Sequence, residues 1–157
     1  MKDIQKIFDK CLKITKEQNI PISKNINPTI RISNRYKKTL ATCTKAKNEY
    51  ILTVSSHILD SANKVLEEII LHELIHTING CFNHGAKFKK YCNILNEKYG
   101  YEILTKMDMK KVTYSNITFY KCKCPHCGTE FTFFRLPSSS KKYCYCGHKL
   151  HIICKNE

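Results

Sequence analysis

Val65-Leu66-Glu67-Glu68-Ile69-Ile70-Leu71-His72-Glu73-Leu74-Ile75-His76 is the stretch on which the reading of this chain turns. At about 100° per residue, Val65, Ile69, His72 and His76 share one helical stripe, Leu66, Ile70 and Leu74 point away from it, and Leu71 and Ile75 fill a third side. A helix apolar nearly all round has to be buried. The pattern predicts one from about Ser56 or Asp60 to Asn79, with Gly80 as its stop. Two imidazoles on such a helix need partners, because burying an unpartnered polar group is costly. Spaced four apart they point the same way, so both can reach one zinc ion, while Glu73 flanks the open side of that ion.

A third ligand is sought downstream. His84 follows in Asn83-His84-Gly85-Ala86-Lys87-Phe88, past the helix stop, where a turn can fold it back onto the metal. Glu97 competes from a second helix, read from about His84 or Gly85 to Tyr99 and closed by Gly100, at a spacing like that of the thermolysin-type glutamate ligand. His84 is favoured, and Glu97 reads as a solvated helix-end charge. The metzincin spacing does not apply, since Asn79 and Phe82 stand where it has Gly and His.

Upstream, Ile4, Ile7, Phe8, Cys11, Leu12 and Ile14 recur at helical spacing and predict an amphipathic helix that docks on the core. Thr29 to Thr44 and Tyr50 to Ser55 are β-branched and aromatic, separated by the polar turn Lys45-Ala46-Lys47-Asn48-Glu49. Two or three antiparallel strands are expected there. Tyr101 to Ser115 is a connector without strong pattern, and composition shifts beyond it, which sets domains of residues 1–111 and 112–157.

Ten cysteines occur, six of them in the last stretch: Cys122, Cys124, Cys127, Cys144, Cys146 and Cys154. The opening Met1-Lys2-Asp3-Ile4-Gln5 lacks the apolar core of an export signal, so metal ligation is the better default than disulfides. An intracellular protein is expected, in cytoplasm or nucleus, monomeric and without a membrane partner. Cys124-Pro125-His126-Cys127 and Cys144-Tyr145-Cys146 supply four thiolates for a closed structural zinc site, in a segment too short to fold well alone. The second knuckle is C-x-C where C-x-x-C is usual, which leaves Cys122, Cys154, His126 and His148 as reserves.

The chain has 157 residues, with Lys+Arg 27 against Asp+Glu 13, a net charge of +14 and a pI near 9.4. Such an excess draws polyanions, chiefly nucleic acid. Only Arg31, Arg35 and Arg135 are arginines, so phosphate neutralisation without base reading is expected. In the tail, Lys121, Lys123, Arg135, Lys141 and Lys142 interleave with aromatic residues, a combination suited to single-stranded nucleic acid.

The run His72-Glu73-Leu74-Ile75-His76, then His84-Gly85 and Phe88-Lys89, resembles the SprT-like metalloprotease domain, with its H-E-x-x-H followed by H-G-x-x-F. Ser33 to Leu40 and Tyr50 to Ser55 are similar to that family's strands before the metal helix. Ala41 departs from the pattern, which has Gly there, and this bears on the local turn. The resemblance implies an α+β fold: a zincin-like helical protease core with a small antiparallel sheet, then a β-rich zinc ribbon. It implies one catalytic and one structural zinc, with His72, His76 and His84 as ligands and Glu73 as the catalytic residue. It also implies a DNA-dependent endopeptidase cutting proteins bound or crosslinked to DNA. The alternatives are a non-enzymatic nucleic-acid-binding adaptor and a peptidase indifferent to DNA.

Overall fold

A computed structural model of the chain describes residues 3–115, 117–138 and 142–156. The chain divides after Ser115 into two compact units. The first holds three helices and a three-stranded sheet. Helix α1, Ile4–Glu17, starts where the Asp3 carboxylate accepts the Lys6 N–H at 3.3 Å. Such an N-cap contributes about 1 kcal/mol. The face formed by Ile4, Ile7, Phe8, Cys11 and Ile14 is buried, as its spacing predicts.

Strands β1 (Arg31–Ser33), β2 (Ala41–Ala46) and β3 (Glu49–Ser55) form a sheet in the order β1-β3-β2. β2 and β3 are the expected antiparallel hairpin, but β1 joins parallel, with Arg31 opposite Thr53 and Ser33 opposite Ser55. The direction is set before β1 begins: Asn25 and Asn27 already exchange backbone hydrogen bonds of 2.8 Å with Tyr50, and β1 extends that parallel run. Leu52 and Val54, each 1% exposed, face the core.

Helix α2, Asn63–Ile75, is the central element, with Leu66, Ile70, Leu71, Leu74 and Ile75 fully buried. It is shorter than the sequence suggests at both ends. Ser56–Ile58 form a separate short 3-10 turn. At the other end the last turn tightens at His76, where Thr77 and Ile78 donate to Leu74 and Ile75 at 3.0 Å and the Thr77 hydroxyl also takes Leu74 O. Orphan carbonyls of a helix end are often satisfied this way. Helix α3, Ala86–Tyr99, buries Phe88, Cys92 and Leu95 and stops at Gly100, whose φ of +66° closes a bond to Asn96 O. Val112 packs into this first core, and the Ser115 N–H donates to His57 O.

The second unit is a three-stranded antiparallel sheet of β4 (Phe119–Lys123), β5 (Glu130–Phe133) and β6 (His151–Asn156), ordered β5-β4-β6. Its buried cluster is small: Cys122, Cys124, Cys144 and Leu150, with Tyr120, Phe131 and Phe133 against them. The fold is therefore α+β, a helical core followed by a β-rich ribbon. Among the described residues no helix is long and apolar enough to cross a membrane.

Candidate metal centres

His72 and His76 leave α2 on one face, one turn apart. The chain then reverses through Gly80, whose φ of +83° lies in the left-handed region that favours glycine, and the Lys87 ammonium ties the turn by donating to Asn79 O at 2.6 Å. This returns His84, just before α3, to the other two. The three Nε2 atoms stand 3.1–3.2 Å from one another. Glu97 is exposed on α3 and belongs to no ligand group.

Carbonyl oxygens fix what those nitrogens are. His72 Nδ1 lies 2.9 Å from Leu104 O and His76 Nδ1 lies 2.7 Å from Cys81 O. A carbonyl only accepts, so each Nδ1 carries the proton and each Nε2 presents a lone pair. Lone pairs converging at this distance do not bond to one another; they bond to a cation between them. A tetrahedral zinc with Zn–N of about 2.0–2.1 Å holds its ligand atoms about 3.3 Å apart, which these residues match. Burial, then the neighbouring imidazoles His76 and His84, push His72 down to about 4, and partial burial lowers His84 as well. Both shifts favour the neutral imidazole that a ligand must be.

Beneath them lies Phe88, itself fully buried, with its ring centroid 4.8–4.9 Å from all three imidazole centroids. Next to His72 along α2 is Glu73, half-buried, whose carboxyl is perturbed. Burial pushes it up to about 7, opposed by a hydrogen bond from the backbone N–H of Cys43 on β2. Neither Leu104 O, Cys81 O nor the Cys43 N–H has a signature in the sequence, because any residue type supplies a backbone atom. Phe88 does: it is the aromatic residue four after His84.

In the second unit Cys124, Cys127, Cys144 and Cys146 converge, with Sγ separations of 3.5 Å for Cys124–Cys146 and Cys127–Cys144 and 3.6 Å for Cys127–Cys146. The short second knuckle fits because it closes one residue sooner. Gly147 donates to Cys144 O across three residues, whereas Gly128 donates to Cys124 O across four. Hydrogen bonds from the Thr129 hydroxyl and N–H hold Cys127 down at about 6. Cys122 faces the small core and Cys154 lies on β6, so neither joins the set. His126 and His148 come near Cys146, yet their rings are stacked 4.0 Å apart and parallel to within 1°. An imidazole binds an ion in its own plane, and no ion lies in two parallel planes. The four thiolates close the structural site without them.

The tail cations Lys121, Lys123, Arg135 and Lys142 are exposed, while Lys141 lies outside the described residues. Tyr145 is 96% exposed and Tyr143 57%, whereas Phe131 and Phe133 are partly buried against the core.

The two clusters are those of one catalytic and one structural zinc, the first an H-E-x-x-H metalloendopeptidase site. Compared with curated proteins, the chain has no match. The model of the SprT-like family matches residues 4–110, which include α1, the sheet, the H-E-x-x-H helix and His84. The chain belongs to the SprT-like family.

Proposed function

We propose that this zinc endopeptidase acts on proteins bound or crosslinked to DNA and that DNA, single-stranded or partly so, activates it. The observation that carries the reading is the convergence of three imidazole nitrogens on one point, with the half-buried Glu73 next to His72 on the same helix. A purely structural site needs no general base, and the half-buried Glu73 between the two helix histidines supports that role. When bound, the zinc supplies a Lewis acid that acidifies water and polarises the scissile carbonyl. The chain's own groups do the rest. Glu73 takes a proton from the attacking water and returns it to the leaving amine. The Cys43 N–H aims that carboxylate, the Leu104 and Cys81 carbonyls fix the imidazole tautomers, and Phe88 keeps water from beneath the site. DNA recognition is supported by the net charge of +14 and by the ribbon, where exposed Tyr145 and Tyr143 offer faces for bases and Lys121, Lys123, Arg135, Lys141 and Lys142 offer charge for phosphates.

The test is incubation of zinc-loaded protein with a DNA-binding protein, with and without single-stranded DNA, for wild type and Glu73→Gln. Cleavage that requires DNA, and that falls about 10²- to 10⁴-fold in Glu73→Gln with both zincs retained, is the expected result. Equal cleavage without DNA would make the enzyme a peptidase indifferent to nucleic acid. Undiminished cleavage by Glu73→Gln would remove Glu73 from its role.

A further inference from the structure

Between Glu17 and Glu49 the chain contains no acidic residue, while it contains Lys24, Arg31, Arg35, Lys37, Lys38, Lys45 and Lys47. Half of the net charge of +14, and two of the three arginines, thus fall on residues 18–48 of the protease unit. All seven side chains are exposed, and none forms an ion pair among the described residues.

The fold sets four of them, Arg31 and the loop cations Arg35, Lys37 and Lys38, about the outer side of the sheet. Arg31, Thr53 and Thr42 lie opposite one another across the three strands, on the face away from Leu52 and Val54. Tyr36 lies over that face, its hydroxyl 3.1 Å from the Thr42 hydroxyl. Arg35, Lys37 and Lys38 stand at the end of β2 where the β1–β2 loop enters it. Lys45, on β2, alternates with Cys43 and so points to the helix side, its ammonium 5.6 Å from the Tyr50 ring, and Lys47 stands in the hairpin turn.

We infer that the protease unit carries its own nucleic-acid-binding face, on the outer side of the β1-β3-β2 sheet and the β1–β2 loop, distinct from the ribbon and built for a phosphodiester backbone. Lysines on an edge strand also guard against aggregation. That accounts for Lys45 and Lys47, but not for Arg31, the loop cations or a hydroxyl-lined face. Arginine forks and threonine hydroxyls are donors suited to phosphate oxygens. An acid-free run of this length favours an evenly charged backbone over an acidic polypeptide, whose carboxylates are irregularly spaced. The inference extends the nucleic-acid part of the proposed function and stands or falls apart from peptide cleavage.

The experiment reads binding of a fluorescein-labelled single-stranded oligonucleotide to the full zinc-loaded chain by anisotropy, across a salt series. It compares wild type, the triple variant Arg35→Gln/Lys37→Gln/Lys38→Gln, the pair Lys45→Gln/Lys47→Gln and the ribbon variant Tyr145→Ala. With the fold checked by circular dichroism and two zincs per chain, the triple variant is expected to bind at least tenfold more weakly. Its salt slope should fall by about 2, at about 0.7 per phosphate contact on a single strand. Tyr145→Ala should keep the wild-type slope. Unchanged affinity and slope in the triple variant would overturn the inference, and so would an equal or larger loss in Lys45→Gln/Lys47→Gln, whose side chains lie off that face. So would displacement of the oligonucleotide by polyglutamate at equal charge concentration, which would assign the face to acidic polypeptides. Running the series on Glu73→Gln protein as well keeps the outcome independent of proteolysis.

Discussion

Phe88 presents one ring to three imidazoles, and the chemistry of the site depends on that apolar floor as much as on the ligands. Its truncation in Phe88→Ala should cost about 3–5 kcal/mol of stability, read by denaturant unfolding, because a fully buried ring leaves a cavity. At this scale the sequence tells most where chemistry lies in side chains. His72, Glu73 and His76 are legible from a spacing of four, and His84 from its place after a helix stop. Glu67 and Glu68 are not. Both lie on the apolar helix, where a carboxylate reads as an exposed charge, yet both are buried. Their partners are remote in sequence. Lys10 and the Tyr101 hydroxyl each reach Glu67 at 2.6 Å, and the Glu102 N–H donates to Glu68 at 2.8 Å. No local pattern announces such pairs.

Among the elements, the connector after α3 shows the same limit on a larger scale. Residues 101–104 have no periodicity because they are held by side chains of neighbouring helices and not by a ladder. Asn96 accepts from the Ile103 N–H at 2.8 Å and donates to Ile103 O at 3.2 Å, Glu68 accepts from the Glu102 N–H, and His72 Nδ1 donates to Leu104 O. The connector is therefore part of the metal site. Asn96→Ala should loosen Leu104 and lower zinc affinity by about 10-fold, the lower end for a lost outer partner, measured by chelator competition. An unchanged affinity would show that Leu104 needs no such support. The parallel entry of β1 was likewise beyond local reading, since strand direction is decided by the Asn25–Tyr50 pairing across the chain. The ends of α2 shifted because the 3-10 tightening at His76 keeps the apolar pattern running past the helix.

On the scale of the molecule, the two units differ in what holds them together. The first buries a large apolar cluster from α1 through Val112, while the buried cluster of the second comprises four of the described residues, two of them cysteines of the thiolate cage. A core that small does not offset the chain entropy of its strands without metal. Stripping both zincs with a strong chelator should unfold the ribbon and leave the helical circular dichroism of the first unit largely intact, with a separate thermal transition. Cooperative loss of both signals would show that the protease core also depends on its ion. The same contrast runs through the composition, where cysteines crowd one end and apolar helical patterns the other.

The clamp on Glu73 is an amide proton of the main chain, donated from the free side of β2. Ser55 donates to Leu40 O, so alternation along the hairpin leaves Cys43 at a position whose N–H is not needed by β3. The thiol at 43 is thus incidental to the clamp, and nineteen of the twenty amino acids could keep it. Proline alone lacks the proton, so Cys43→Pro should leave the hairpin paired while cutting turnover at unchanged zinc content. Variation at this position is a poor guide to whether a relative of this chain can still hydrolyse peptides.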